Sequence, residues 1–331
     1  MKKILIVSDV WYPQVNGVMT VLEKTIELLQ KKDFSVVVIH PGLFVTIPMP
    51  FYSEIRTPLF SKNKIKKIIE KEKPDYIHIV TEGLLGYNAR SICKKLNIVF
   101  TSSYHTHFPE YLKIRVGYFY DITYKYLQWF HNASVKTMVC SVDLKNELES
   151  RGFNHIALWP LGVDTNFFVK NKNIINNYKK PVFFYLGRVA SEKNIEDYLK
   201  CPLPGTKLVI GDGPERKELE AKYKETNIFL GYKKGKELID LLSVCDVMVF
   251  TSKTDTFGLT IIEAMSCGIP VVAYEVMGPK DIITNGVDGY LSEDIASAAV
   301  KCLNLNGEDC KKKAQKYSWD TSVDAFISNL N

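Results

Sequence analysis

The chain has 331 residues, 46% of them apolar and 24% charged, which is enough for two α/β domains with ordinary cores that need no staples. A formal net charge of +6, with a pI near 8.7, is too mild over this length to argue for nucleic acid. Seven scattered cysteines without a C-x-x-C pair exclude a disulfide framework or zinc ribbon. The short apolar start and the absence of any bilayer-length apolar run lead us to expect a soluble, cytoplasmic protein.

In chain order, apolar runs predict strands at 3–7 and 34–39 around a helix at 17–31. A proline-rich stretch at 41–58 has turn chemistry and little periodicity, so it reads as a connection. The segment 62–73 follows as a helix. Isoleucines at 65, 68 and 69 mark its buried stripe, and its lysines read as a solvated face rather than a membrane-binding patch. Strands at 76–80, 98–102, 137–140 and 156–159 alternate with helices at 86–96, 118–131 and 142–151. The polar stretch 165–180 suits a linker.

The alternation then restarts, with strands at 182–186, 207–210, 228–230, 247–250 and 271–273. Helices are expected at 195–199, 215–224, 236–243, 259–267, 293–303 and 320–329. Strands apolar on both faces and alternating with helices imply parallel sheets covered on both sides. The fold class is therefore α/β, with two Rossmann-like parallel-sheet domains facing across a cleft. We place the first at 1–165, the second at 166–316, and a final helical segment at 317–331 that packs back on the first. Ligands of such sheets bind beyond the carboxyl ends of the strands.

Four loops at predicted strand ends carry the chemistry. The strongest, Thr254 to Met265, follows the strand at 247–250. A helix opening near Gly258 presents free N–H groups and its positive dipole end, an anion site that suits a diphosphate. Asp255 lies in that loop, and Glu263 sits between Ile262 and Ala264, where a carboxylate is expected to have a partner. In the second loop, Arg188 and Lys193 stand five residues apart, one a bidentate donor and the other a point charge for a diphosphate. The third, Asp9 to Gly17, opens a helix at Gly17 but lacks G-x-G-x-x-G, which counts against a nicotinamide enzyme. The fourth, Ser103 to Tyr111, offers polar and aromatic groups for a sugar or acceptor hydroxyl, with His105 nearer the strand end than His107. Gly211 and Tyr232 fall in turns that suit a base pocket. No metal-ligand spacing and no D-x-D appears, so no metal is required and the two cations supply the electrostatics.

Together these residues resemble glycosyltransferase family 4, the retaining enzymes of GT-B fold, over nearly the whole chain. The family's E-x7-E reads D-x7-E here, from Asp255 to Glu263. The resemblance implies that Asp255 lies near the donor sugar and that Glu263 binds the ribose. It makes Arg188 and Lys193 the diphosphate pair, and Gly17 the amino-domain glycine, with Asn16 in place of the first glycine. The run Tyr104 to Tyr111 and the Leu161 to Asp164 motif look most like GDP-mannose-dependent α-mannosyltransferases and sulfoquinovosyl- or glycolipid-forming relatives.

On that basis the expected catalytic set is Asp255, His105, Arg188 and Lys193. The donor-binding set is Gly17, Arg188, Lys193, Gly211, Tyr232, Asp255, Phe257, Gly258, Leu259, Thr260 and Glu263. The expected donor is GDP-mannose, ahead of UDP-sugars, with no cofactor. The acceptor is a glycan, glycolipid or glycoprotein, and a homodimer and a peripheral membrane contact are compatible with the chain. The alternatives are a GT-B-type sugar-nucleotide epimerase and a catalytically weak sugar-nucleotide-binding protein.

Overall fold

The computed structural model describes residues 1–14, 16–49, 52–110, 120–175 and 177–330. The chain forms two compact units, Met1–Leu161 with Trp319–Asn331, and Gly162–Ser318.

The first unit is built on β1 (Lys2–Val7), whose Ile4 to Val7 are buried. It pairs in parallel with β2 (Phe34–Ile39) on one side and β5 (Tyr76–Ile79) on the other. Thr101–Ser103, Lys136–Val139 and Ile156–Leu158 (β6, β7 and β8) extend the sheet in the order β2-β1-β5-β6-β7-β8. Because side chains alternate along each strand, the two faces carry different cores. Leu5, Val7, Ile77 and Ile79 meet Ile65 and Ile69 of α2 (Ser61–Glu72), Ala89 and Ile92 of α3 (Leu84–Leu96), and Phe130 of α4 (Tyr120–His131). On the other face, Ile6, His78 and Val80 meet Leu22 of α1 (Gly17–Lys31) and Phe326 of the helix Trp319–Asn329.

That last helix returns from the far end of the sequence. Phe326 packs 4.9 Å from the rings of both His78 and Trp159, and the Trp159 indole N–H donates to Ser322 Oγ at 3.2 Å. Burial pushes the His78 imidazole down to about 3, so it is neutral here.

The stretch 41–58 departs from the sequence reading. It forms an antiparallel hairpin, Thr46–Met49 with Tyr52–Pro58 (β3 and β4), following a 3-10 turn at Pro41–Leu43. Pro48 and Pro58 hide it, because one lies within and the other at the end of an isolated two-stranded edge, where a missing N–H is tolerated.

The second unit centres on β9 (Val182–Leu186), buried along its whole length. The strands β10 (Thr206–Ile210) and β11 (Ile228–Gly231) stack on one side of it. On the other lie β12 (Val247–Phe250), β13 (Val271–Ala273) and β14 (Gly289–Leu291), giving β11-β10-β9-β12-β13-β14, all parallel. The short β14 and the helices Pro279–Ile282 and Gly307–Ala314 were not expected from the sequence. The helix predicted at 293–303 begins instead at Ile295, because the Asp294 carboxylate accepts from Ser297 N–H and fixes the cap.

The stretch 165–180 is not a free linker. Lys170 Nζ donates to the Cys245 carbonyl at 2.8 Å, Asn171 N–H to Ser243 Oγ at 2.8 Å, and Lys180 pairs with Asp246 at 2.9 Å. All seven cysteines are buried free thiols. No helix among the described residues is long and apolar enough to cross a membrane.

Candidate functional site

The order of the second sheet reverses direction at β9. The chain runs outward through β10 and β11, then returns to lay β12 against the other side of β9. The loops leaving the carboxyl ends of these two neighbours diverge, and such a switch point is where open α/β sheets bind ligands. The loop after β9 carries Arg188 and Lys193, and the loop after β12 carries Asp255, Phe257 and Gly258.

The two loops are stitched together. Thr254 Oγ1 donates to the Glu192 carbonyl at 2.8 Å, Asn194 Nδ2 reaches the Thr251 carbonyl at 3.4 Å, and the Lys193 ammonium is ion-paired with the Asp255 carboxylate. Arg188 lies 3.8 Å from the buried Glu192 carboxylate, while its backbone carbonyl accepts the Tyr185 hydroxyl at 2.7 Å. Glu192, which the sequence reading passed over, is thus the anionic neighbour of Arg188. Its place between two expected ligands was the available signal.

Gly258 adopts φ 95° before the helix Leu259–Ser266, a conformation that favours glycine, and a Cβ there would lie 2.9 Å from Ile261 Cδ1. Leu259 and Thr260 form the first turn of this helix, and Phe257 is buried with its ring 5.7 Å from Tyr317. A second residue that sequence reasoning missed is Gly278, at φ 87°. Its virtual Cβ would stand 2.8 Å from the Asp255 carbonyl and 2.9 Å from that of Phe257, so the absent side chain lets the loop close down.

Glu263 points inward from the same helix, half-buried. The partner expected for it is not found, since no side chain among the described residues bonds its carboxylate. Burial alone pushes its pKa up to about 7. Gly211 packs against the loop after β9, where a Cβ would meet the Gly187 carbonyl at 1.8 Å; its N–H donates to the Gly231 carbonyl at 2.9 Å. Tyr232 follows at an exposed position. All the expected donor residues except Gly17 therefore belong to one unit, and Asp255, Lys193 and Arg188 lie on loops in direct contact.

Gly17 and His105 belong to the first unit. Gly17 is the first residue of α1, which is capped by Asn16 accepting from Met19 N–H at 3.0 Å. The start of α3, by contrast, is filled from within. The Asp9 carboxylate accepts from Leu85 N–H at 2.8 Å, Gly86 N–H at 3.3 Å and Thr81 Oγ1 at 2.9 Å. His105 follows β6 with its ring 5.4 Å from Trp159, and burial pushes it down to about 4, leaving a neutral imidazole. Tyr111 and residues 118–119, part of the expected loop and helix, lie outside the described residues.

One cluster was invisible in sequence spacing. His107, Glu110 and Glu147 bring possible metal ligands within 4.8 Å of one another. The protein already serves these carboxylates: His107 Nδ1 lies 3.2 Å from Glu110, the Tyr124 hydroxyl donates to Glu110 at 2.7 Å, and Arg151 Nε donates to Glu147 at 3.0 Å.

Two six-stranded parallel sheets, each covered by helices, define the GT-B class of fold, and solved structures agree. HepE of Anabaena, in complex with UDP and glucose, aligns over 100% of this chain and 99% of its own, with a TM-score of 0.75 at 17% identity. A sucrose-phosphate synthase from Thermosynechococcus elongatus aligns over 99% and 98%, with a TM-score of 0.78 at 18% identity. By sequence, residues 15–167 match the model of Glycosyltransferase Family 4, and residues 168–316 that of Glycosyl transferases group 1. The chain belongs to glycosyltransferase family 4. It is 30% identical to the sulfoquinovosyl transferase SQD2 of Arabidopsis thaliana over 83% of this chain, and spans 60% of that protein's length. It is 26% identical to a GDP-mannose-dependent alpha-mannosyltransferase of Mycobacterium tuberculosis, over 87% of this chain and 83% of the relative.

Proposed function

We propose that the protein transfers a hexose from a sugar nucleotide to an acceptor hydroxyl with retention of anomeric configuration, using no metal, and that mannose from GDP-mannose is the preferred donor. The observation that carries this reading is the meeting of two loops at the switch point of the second sheet, with Arg188, Lys193 and the Gly258 helix end on adjoining segments. A donor diphosphate bound there exchanges the Lys193–Asp255 contact for its own charge. Arg188 and Lys193 then stabilise the negative charge that develops as the bond from the sugar C1 to the phosphate oxygen breaks. The acceptor oxygen bonds to C1 from the face the phosphate leaves, and its proton passes to the departing phosphate.

In this reading Glu263, without a side-chain partner among the described residues, accepts from the ribose hydroxyls. Asp255 sits beside the donor sugar, Gly211 and Tyr232 shape the base pocket, and the first unit handles the acceptor, with His105 as its polar group and Gly17 opening the loop. GDP-mannose is favoured over UDP-sugars because two relatives of similar coverage are named for it, although HepE was solved with UDP.

The test is titration calorimetry with GDP-mannose, UDP-glucose and UDP-galactose, followed by NMR of the product's anomeric proton. Tight binding of GDP-mannose with an α-linked product supports the reading. Binding confined to UDP-sugars overturns the donor, and a β-linked product overturns retention. An isomerised donor formed without acceptor would indicate an epimerase instead.

A further inference from the structure

The helices α2, α3 and α4 lie abreast on one face of the first sheet. Asn88 Nδ2 donates to Ser61 Oγ at 2.9 Å, tying α3 to α2. Arg90 donates to the carbonyls of Trp129 and Phe130 at 2.8 and 3.0 Å, tying α3 to α4. Their outer surface is unusual for a solvated layer. Leu84 and Tyr87 of α3 and Ile122, Tyr126 and Trp129 of α4 are exposed, Ile122 to 63% and Trp129 to 48%. They form one patch, with Trp129 6.0 Å from Tyr87 and 5.9 Å from Tyr126. The Arg90 guanidinium, 3.5 Å from the indole centroid, holds that ring in place from behind.

The same three helices are rich in exposed lysine. Lys62, Lys64, Lys66, Lys67, Lys71 and Lys73 are exposed along α2 and its end. Lys94 and Lys95 follow at the end of α3, and Lys125 sits on α4. Glu70 and Glu72 are the acidic residues of α2 and pair with Lys66 and Lys71 at 3.5 and 3.8 Å, so the lysines outnumber them and leave the helix basic.

We propose that this helix layer rests on an anionic lipid bilayer. The indole and phenol rings sit at the boundary of headgroups and acyl chains, and the lysines lie among the headgroups. Tyrosine and tryptophan suit that boundary because one end of each ring is apolar and the other polar. A basic layer gains about 1 kcal/mol per lysine near an anionic surface. A second copy of the chain docked on the same face would set lysine against lysine, which the like charges oppose. From sequence alone the lysines of α2 read as a solvated face. It is the aromatic patch beside them that changes the reading.

The test is flotation of the full chain with vesicles of phosphatidylglycerol and phosphatidylcholine, and with phosphatidylcholine alone. We expect flotation with the anionic vesicles only, weakening as salt is raised. The triple variant Lys62→Gln, Lys66→Gln, Lys67→Gln should bind about a hundredfold more weakly, at about fivefold per lysine. The variant Tyr87→Asn with Ile122→Asn should lose about tenfold or more. Both variants change exposed side chains and should keep the native circular dichroism and donor affinity. The proposal is overturned by absence of flotation, or by flotation that neither variant weakens. It is equally overturned by a dimer in sedimentation that the Tyr87→Asn, Ile122→Asn variant dissociates. None of these readouts needs glycosyl transfer, so this proposal and the catalytic one stand or fall separately.

Discussion

Lys193, from the loop after β9, is ion-paired with Asp255, from the loop after β12, and both side chains are four-fifths buried. In the proposed donor site, an ammonium held this way needs little movement to meet a phosphate. The two residues act at one contact, so their losses should not add. We expect Lys193→Ala to lower kcat/KM for donor by about 10²–10³-fold, and the double variant with Asp255→Ala to lose little more. Steady-state kinetics on the two single variants and the double variant check this, and fully multiplicative losses would contradict it.

Glu263 gives a pH signature. Burial raises its pKa from 4.5 to about 7, so between those values the folded protein holds a proton that the unfolded chain has released. Stability therefore falls as pH rises through this window. The Glu263→Gln variant, which cannot ionise, should match the wild type near pH 4.5 and exceed it above pH 7 by up to about 3 kcal/mol. Its donor affinity should drop about tenfold or more, through loss of a charged acceptor. Thermal melts across that pH range, paired with calorimetry, measure both. A variant no more stable at pH 8 would sink the assignment.

Gly278 tests the shape of the proposed donor loop without touching a charge. A methyl group at φ 87° would collide with the carbonyls of Asp255 and Phe257. Gly278→Ala should cost about 1–3 kcal/mol of stability and weaken donor binding, because the loop can no longer close. Gly235, also at positive φ but with open space around its Cβ position, is the control. Gly235→Ala should lower stability slightly and leave donor binding intact.

Asp9 lies on the first unit and serves structure. Asp9→Ala would leave the N–H groups of Leu85 and Gly86 and the Thr81 hydroxyl without their acceptor. A loss of about 1–3 kcal/mol follows from unpaired buried donors. Asp9→Asn should recover part of it, since its amide oxygen can still accept from Leu85. Urea denaturation of the two variants separates these outcomes.

Much of this was legible in the sequence because parallel strands buried on both faces write continuous apolar runs, as at Val182–Leu186 and Val247–Phe250. The loops with Arg188, Lys193, Asp255 and Gly258 were legible for the same reason, being the polar punctuation after those runs. The hairpin at Thr46–Pro58 was not, because its prolines mimic a connection. The helix Gly307–Ala314 was hidden by its run of lysines, which buries only Cys310 and Ala314. Glu192 lies within one turn of its neighbour Arg188, whereas Gly278 acts through contacts with Asp255 and Phe257, far from it along the chain, and no local pattern encodes such contacts. The His107, Glu110 and Glu147 cluster arises in the same way, from two separate segments.

The return of Trp319–Asn329 to the first unit has a consequence for the order in which the chain matures. Phe326 and Ser322 complete a core whose other members, His78 and Trp159, are synthesised far earlier. On the ribosome, the stretch 162–318 has all its own partners in hand while the leading portion still waits for its closing helix. The portion made first is thus the last to be sealed.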